Sequence, residues 1–246
     1  MPLIVVAIAV MLTIVAARAQ IPGQQVYLPM LAQVPTPTSA LPTPAPPTPT
    51  PGPNPQPEGV SVRDYQSYEQ GGARYIIGEV VNNTGQPASL IKIDERFYDS
   101  DGKLIFTDYT FVSQDRVAPG ARALFYDVDS APPSGITRVE VTVASWLDRT
   151  GLDYRDITVV SHETRPASFG RLQITGELRN DQTVIMRSAQ VLVTFYDEAG
   201  KVVNVAMGYA SNSTLRPGET TVFTLNALRD VPFATYQIYA QGYVQL

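Results

Sequence analysis

Few side chains in this sequence are of a type and spacing that could do chemistry. There is a single histidine, His162, set as Ser161-His162-Glu163, and there is no cysteine. A serine hydrolase needs its nucleophile, base and acid to converge. Consecutive residues of a strand point to opposite faces, so this run assembles no triad. One imidazole and no thiol also fall short of the ligand set of a zinc site. Asp99-Ser100-Asp101-Gly102 looks like a fragment of a calcium loop, but the full EF-hand spacing with its closing bidentate glutamate is absent. A turn in which aspartate accepts nearby amide hydrogens accounts for that run, and for Asp197-Glu198-Ala199-Gly200 further on. Asp94 and Glu95 offer the paired carboxylates of a glycosidase, yet adjacent acids on a strand diverge. No catalytic residue, metal ligand or cofactor site is therefore expected, and an enzyme is not expected.

The elements that carry these residues begin well into the chain. Residues Leu3 to Ala17 form an apolar run broken by Thr13, and Ala17-Arg18-Ala19 has the small-x-small pattern of a signal-peptidase site. The run is short for a membrane span, so residues 1–19 are expected to be a secretory signal or an uncleaved anchor. Residues 20–57 are expected to be a disordered Pro/Thr-rich linker. Between Pro35 and Pro57 every second or third residue is proline, which fixes φ and removes the amide donor, so neither helix nor sheet can form. At about 3.1 Å per residue this spacer reaches roughly 70 Å. Its threonines and Ser39 could carry O-linked sugar. A net charge of -5 and a pI near 4.9 argue against nucleic acid, because little would neutralise phosphate.

The remainder is written twice. Phe97-Tyr98-Asp99 recurs 98 positions later as Phe195-Tyr196-Asp197, and the same offset joins other identical pairs without a gap. Gly78-Glu79 meets Gly176-Glu177, Asn82 meets Asn180, Gly102-Lys103 meets Gly200-Lys201, Pro119-Gly120 meets Pro217-Gly218, and Phe125 meets Phe223. Each copy reads as six or seven short strands punctuated by turn residues, without helical periodicity. That is the signal for a β-sandwich. Val191, Val193 and Phe195 should point inward, as should Ile91, Ile93 and Phe97. Glu95 interrupts that second ladder, and a sheet edge or a salt bridge with a neighbour such as Arg96 is expected to accommodate it. Tyr109, Phe111, Tyr209, Tyr239 and Tyr243 fall on strands, where core or half-buried positions are expected; a tyrosine-bearing face for carbohydrate or protein is the alternative. Trp146 is expected where the two copies meet. Asn82-Asn83-Thr84 and Asn212-Ser213-Thr214 fit the N-glycosylation pattern.

The pattern Gly-x-Val-x-Asn, then an aromatic-Tyr-Asp turn with Gly-Lys, then Pro-Gly before Phe, resembles the FxLYD domain, an immunoglobulin-like sandwich of prokaryotic envelope and secreted proteins. The first copy carries it through Gly78, Val80, Asn82, Phe97, Tyr98, Asp99, Gly102, Pro119, Gly120 and Phe125. The second carries it through Gly176, Leu178, Asn180, Phe195, Tyr196, Asp197, Gly200, Pro217, Gly218 and Phe223. Glu95 or Val193 stands for the family's first Phe, and Phe97 or Phe195 for its Leu. The resemblance implies an all-β chain of two tandem immunoglobulin-like β-sandwich domains, residues 58–149 and 150–246, after the signal segment and linker. It implies a secreted or extracytoplasmic, non-catalytic protein with binding or structural roles. The expected partner is an unknown envelope protein or a surface polysaccharide, with no nucleic acid and no membrane contact beyond an uncleaved N-terminal segment. The alternative is a carbohydrate-binding or weakly hydrolytic extracellular module.

Overall fold

The computed structural model describes residues 59–148, 151–166 and 171–244; the expected signal segment and linker lie outside them. The described residues form strands and turns with no helix, in four antiparallel sheets. The first copy contributes β1 (Val60–Gln70), β2 (Ala73–Asn82), β3 (Ser89–Tyr98), β4 (Leu104–Phe111), β5 (Arg122–Asp129) and β6 (Arg138–Leu147). These pair as β1-β2-β5 in one sheet and β4-β3-β6 in the other, so the chain crosses between layers after β2, β4 and β5. Side chains with period two fill the space between the layers, among them Ile76, Val80, Ile91, Ile93, Phe97, Phe125 and Val141.

The second copy repeats the plan. It contains β7 (Tyr154–Asp156), β8 (Thr158–Pro166), β9 (Leu172–Arg179), β10 (Met186–Tyr196), β11 (Val202–Tyr209), β12 (Thr214–Leu215), β13 (Thr220–Asn226) and β14 (Thr235–Val244). One sheet runs β13-β9-β8 and the other β11-β10-β14-β7, with β12 also on β10. Ile174, Leu178, Val191, Val193, Phe195 and Phe223 lie in the core between them.

The two copies share their turn geometry and several equivalent bonds. The ladder register slips after Phe97 and again after Phe195. In each hairpin the glycine amide donates to the aspartate carbonyl, Gly102 to Asp99 at 3.1 Å and Gly200 to Asp197 at 3.0 Å. Those glycines have φ of 77° and 74°, a left-handed conformation that a side chain would strain. The Pro-Gly turns close in the same way, Ala121 N to Ala118 O and Glu219 N to Arg216 O, both 3.0 Å. Asn82 and Asn180, both fully buried, each donate through Nδ2 to two carbonyls. These amides tie the loop after β2 to Val117, ahead of β5, and the loop after β9 to Leu215 of β12, ahead of β13. Gly78 and Gly176 sit under Phe125 and Phe223, where an added Cβ would come within 2.4 and 2.6 Å of the ring Cζ. Each ring occupies the space that a side chain on the glycine would take.

Candidate functional site

The sequence candidates for catalysis are scattered. His162 lies exposed on β8, its Nδ1 3.0 Å from the Tyr236 hydroxyl and its ring edge-on to that tyrosine. Asp99 spends Oδ1 on the amides of Asp101 and Lys103, at 3.0 and 2.9 Å, and Asp197 likewise accepts from Lys201 at 2.8 Å. Among the described residues no group of three or more His, Cys, Asp or Glu could hold a metal ion. Of the two glycosylation sequons, Asn82 is fully buried with its amide nitrogen already donated, whereas Asn212 is exposed.

Glu95 departs from expectation. β3 is the central strand of its sheet, between β4 and β6, so Glu95 is not at an edge. It is 0% exposed, points into the core with Ile93 and Phe97, and neither carboxylate oxygen has a hydrogen-bond partner. Arg96 points the other way, to solvent. Burial, and then the charges of Asp127 and Asp108, push the Glu95 carboxyl up to about 8, so it is neutral at pH 7. Asp94, on the opposite face, instead pairs with Lys92 at 2.7 Å.

The two copies also differ on the outward faces of their sheets. The outer face of β10 and β11, through Leu192, Tyr196, Val202 and Val205, packs on Ile77 and Leu124 of the first sandwich's β2 and β5. Polar bonds frame this contact. The Tyr196 hydroxyl donates to Glu79 Oε1 at 2.5 Å, Arg63 binds both Glu79 Oε2 at 3.1 Å and the Gly200 carbonyl at 2.9 Å, and Asp64 Oδ2 accepts the Val202 amide at 2.7 Å. Arg229 reaches Gln66 at 2.7 Å with its guanidinium 3.9 Å from the centre of the Tyr68 ring. Burial raises the Glu79 carboxyl, against the opposing pull of Tyr196 and Arg63. Trp146, by contrast, packs on the first sandwich's own core and not where the copies meet.

The same face of the first sandwich is uncovered. Asp94, Thr107 and Tyr109 stand where the second copy has Leu192, Val205 and Met207, 98 positions on. Tyr109 is 55% exposed and Phe111 46%, with Leu104 and Ile105 also exposed along β4, so these aromatics are not core residues. Tyr209, the equivalent of Phe111, is exposed too, while Tyr239 and Tyr243 are half-buried as expected. Lys92 Nζ lies 4.5 Å from the Tyr109 ring centre, and Phe111 meets Tyr109 edge-on at 88°. A shallow cavity of 440 Å³ opens here, bounded by Lys92, Asp94, Glu95, Arg96, Thr107, Asp108 and Tyr109. On the second sandwich the uncovered face is that of β9 and β13, where Thr175, Val222 and Thr224 replace Ile77, Leu124 and Tyr126. Part of the signal for the covered face was present in the sequence: Leu192, Val205 and Ile77 are apolar at outward positions where the other copy has Asp94, Thr107 and Thr175.

No protein-family model matches the chain, and no curated protein matches it. Among solved structures, an exo-chitosanase from Amycolatopsis orientalis in complex with PNP-beta-D-glucosamine is similar at 18% identity and a TM-score of 0.20, over 66% of this chain and 23% of that one. The chain thus spans under a quarter of that enzyme's length, and a likeness this slight carries no argument about activity.

Proposed function

We propose that this is a non-catalytic secreted or cell-envelope protein whose two FxLYD-like sandwiches, carried on a proline-rich stalk, bind a partner through the uncovered β3–β4 face of the first sandwich. One observation carries this reading: exposed Tyr109 and Phe111 lie among Lys92, Asp94 and Arg96 on a face whose counterpart in the second copy is a protein contact. Mixed charge around aromatic anchors suits a protein surface. A sugar ring needs a flat, open aromatic face, and here Lys92 occupies the Tyr109 ring while Phe111 stands perpendicular to it. A protein partner is therefore favoured over a polysaccharide.

The test is capture from envelope extract by the full chain and by a Tyr109→Ala/Phe111→Ala variant, alongside a glycan array and rate assays on common glycosides. The expected outcome is a protein retained by the wild type and lost by the variant, with no glycan signal and no hydrolysis. Glycan binding that the variant abolishes would replace this reading with the carbohydrate one, and hydrolysis of any glycoside would overturn the non-catalytic assignment.

A further inference from the structure

The duplication provides an internal control for Glu95. At the three positions where the first sandwich has Glu95, Asp108 and Asp127, the second has Val193, Ala206 and Leu225, all buried and apolar. The fold itself therefore asks for no acid at these places. Asp108 is the direct cross-strand partner of Glu95 on β4, and like charges so placed repel. Asp127 approaches from β5, in the facing sheet. On its other side Glu95 pairs with Val141 of β6, so these two aspartates are the charged groups that face it.

The strands that bear the aspartates are both sheet edges, and they meet along a seam. One end of the seam is tied. Val112 bridges Phe125, the Ser113 amide donates to the Leu124 carbonyl at 2.9 Å, and Thr110 Oγ1 reaches the Tyr126 carbonyl at 3.2 Å. Beyond Thr110 the seam runs past Asp108, Asp127 and the unpartnered Glu95.

We propose that this seam is a proton-operated gate: with the Glu95 carboxyl neutral, β4 lies closed on β5, and with it ionised, β4 swings from its Val112 end and admits water. An unpaired buried carboxylate is too costly to keep dry, and two further carboxylates supply the repulsion that moves the strand. The high set point of Glu95 places opening just above neutrality. The exposed Tyr109 and Phe111 ride on the strand that moves, so the gate would alter that face. The gate stands whether or not the face binds a partner.

Hydrogen exchange of the full chain at pH 6 and pH 9, with labelling times scaled for the intrinsic rate, tests it. Peptides from β4 and β5 are expected to exchange roughly tenfold or more faster at pH 9 after scaling, while β11 and β13 keep their protection. Glu95→Gln, which keeps the size and removes the charge, and Glu95→Val, which copies the second sandwich, should both abolish the difference. Equal protection at the two pH values in the wild type would overturn the gate. So would loosening shared by β11 and β13, or a response that persists in Glu95→Gln.

Discussion

The Tyr196 hydroxyl crosses from the second sandwich to the Glu79 carboxylate of the first, 2.5 Å away, in a place sealed from water. Each group needs the other: a buried carboxylate without donors is expensive, and Arg63 supplies only one further bond to it. Tyr196→Phe should therefore lower stability by about 1–3 kcal/mol and loosen the contact between sandwiches. Calorimetry would record this as a lower Tm and a broadened or split transition. An unchanged single transition would mean that the sandwiches do not couple through this bond.

The pH dependence of stability should bear the mark of Glu95. Its carboxyl keeps its proton in the fold up to about pH 8, whereas in the unfolded chain it ionises near its usual 4.5. The unfolded state thus binds fewer protons over that window. Stability contributed by this group is complete below about pH 4.5 and is lost as pH rises to about 8, by roughly 3–5 kcal/mol at most. Urea midpoints between pH 4 and 9 should fall for the wild type and stay nearly level for Glu95→Val.

Gly78→Ala and Gly176→Ala should be damaging to similar degrees, because the two sites are copies. The new Cβ of the first would lie 2.4 Å from Phe125 Cζ and 2.7 Å from the Asp64 carbonyl, and that of the second 2.6 Å from Phe223 Cζ and 2.3 Å from the Ser161 carbonyl. A ring can tilt but strand backbone cannot easily yield, so a cost of about 1–3 kcal/mol each is expected by chemical denaturation. A neutral result at one site alone would show that its ring has room the other lacks.

Asn180→Ala removes two donated bonds, to Val184 at 2.9 Å and Leu215 at 2.8 Å, and one accepted from the Gln182 amide at 2.9 Å. The carbonyls left behind are enclosed, so the loss should be about 2–4 kcal/mol. Limited proteolysis should then cut first in the loops that Asn180 joins. Asn180→Asp should not rescue the fold, since a carboxylate cannot donate to either carbonyl.

Turns and strands were legible in the chain because their signals are local: Asp99 and Gly102 need only each other, and Ile91 and Ile93 announce their face by alternation. The place of Glu95 was not, because alternation says which face a residue takes but not whether its strand is central or at an edge. That depends on β4 and β6 flanking β3, which only the assembled sheet decides. Tyr109 and Phe111 misled for a related reason: aromatics suit a strand whether the face they occupy is later covered or left bare. The contact made by Leu192 and Val205 was readable in principle, by asking why outward positions were apolar in one copy only.

That contrast between copies has a consequence for how many units can be joined. A module that offered the same two apolar sides at every step could be extended indefinitely, each unit receiving the next. Here the inner sides carry Ile77, Leu124, Leu192 and Val205, while the outermost ones mix Asp94, Thr107, Thr175 and Thr224 with exposed Tyr109 and Val222. A third sandwich of the same kind would meet Asp94 and Thr107 where the existing contact has Leu192 and Val205, so it could not repeat that contact. Whatever seats on Tyr109 and Phe111 must therefore bring its own complement to the neighbouring carboxylate and hydroxyl groups, and cannot be a plain copy of the module beside it.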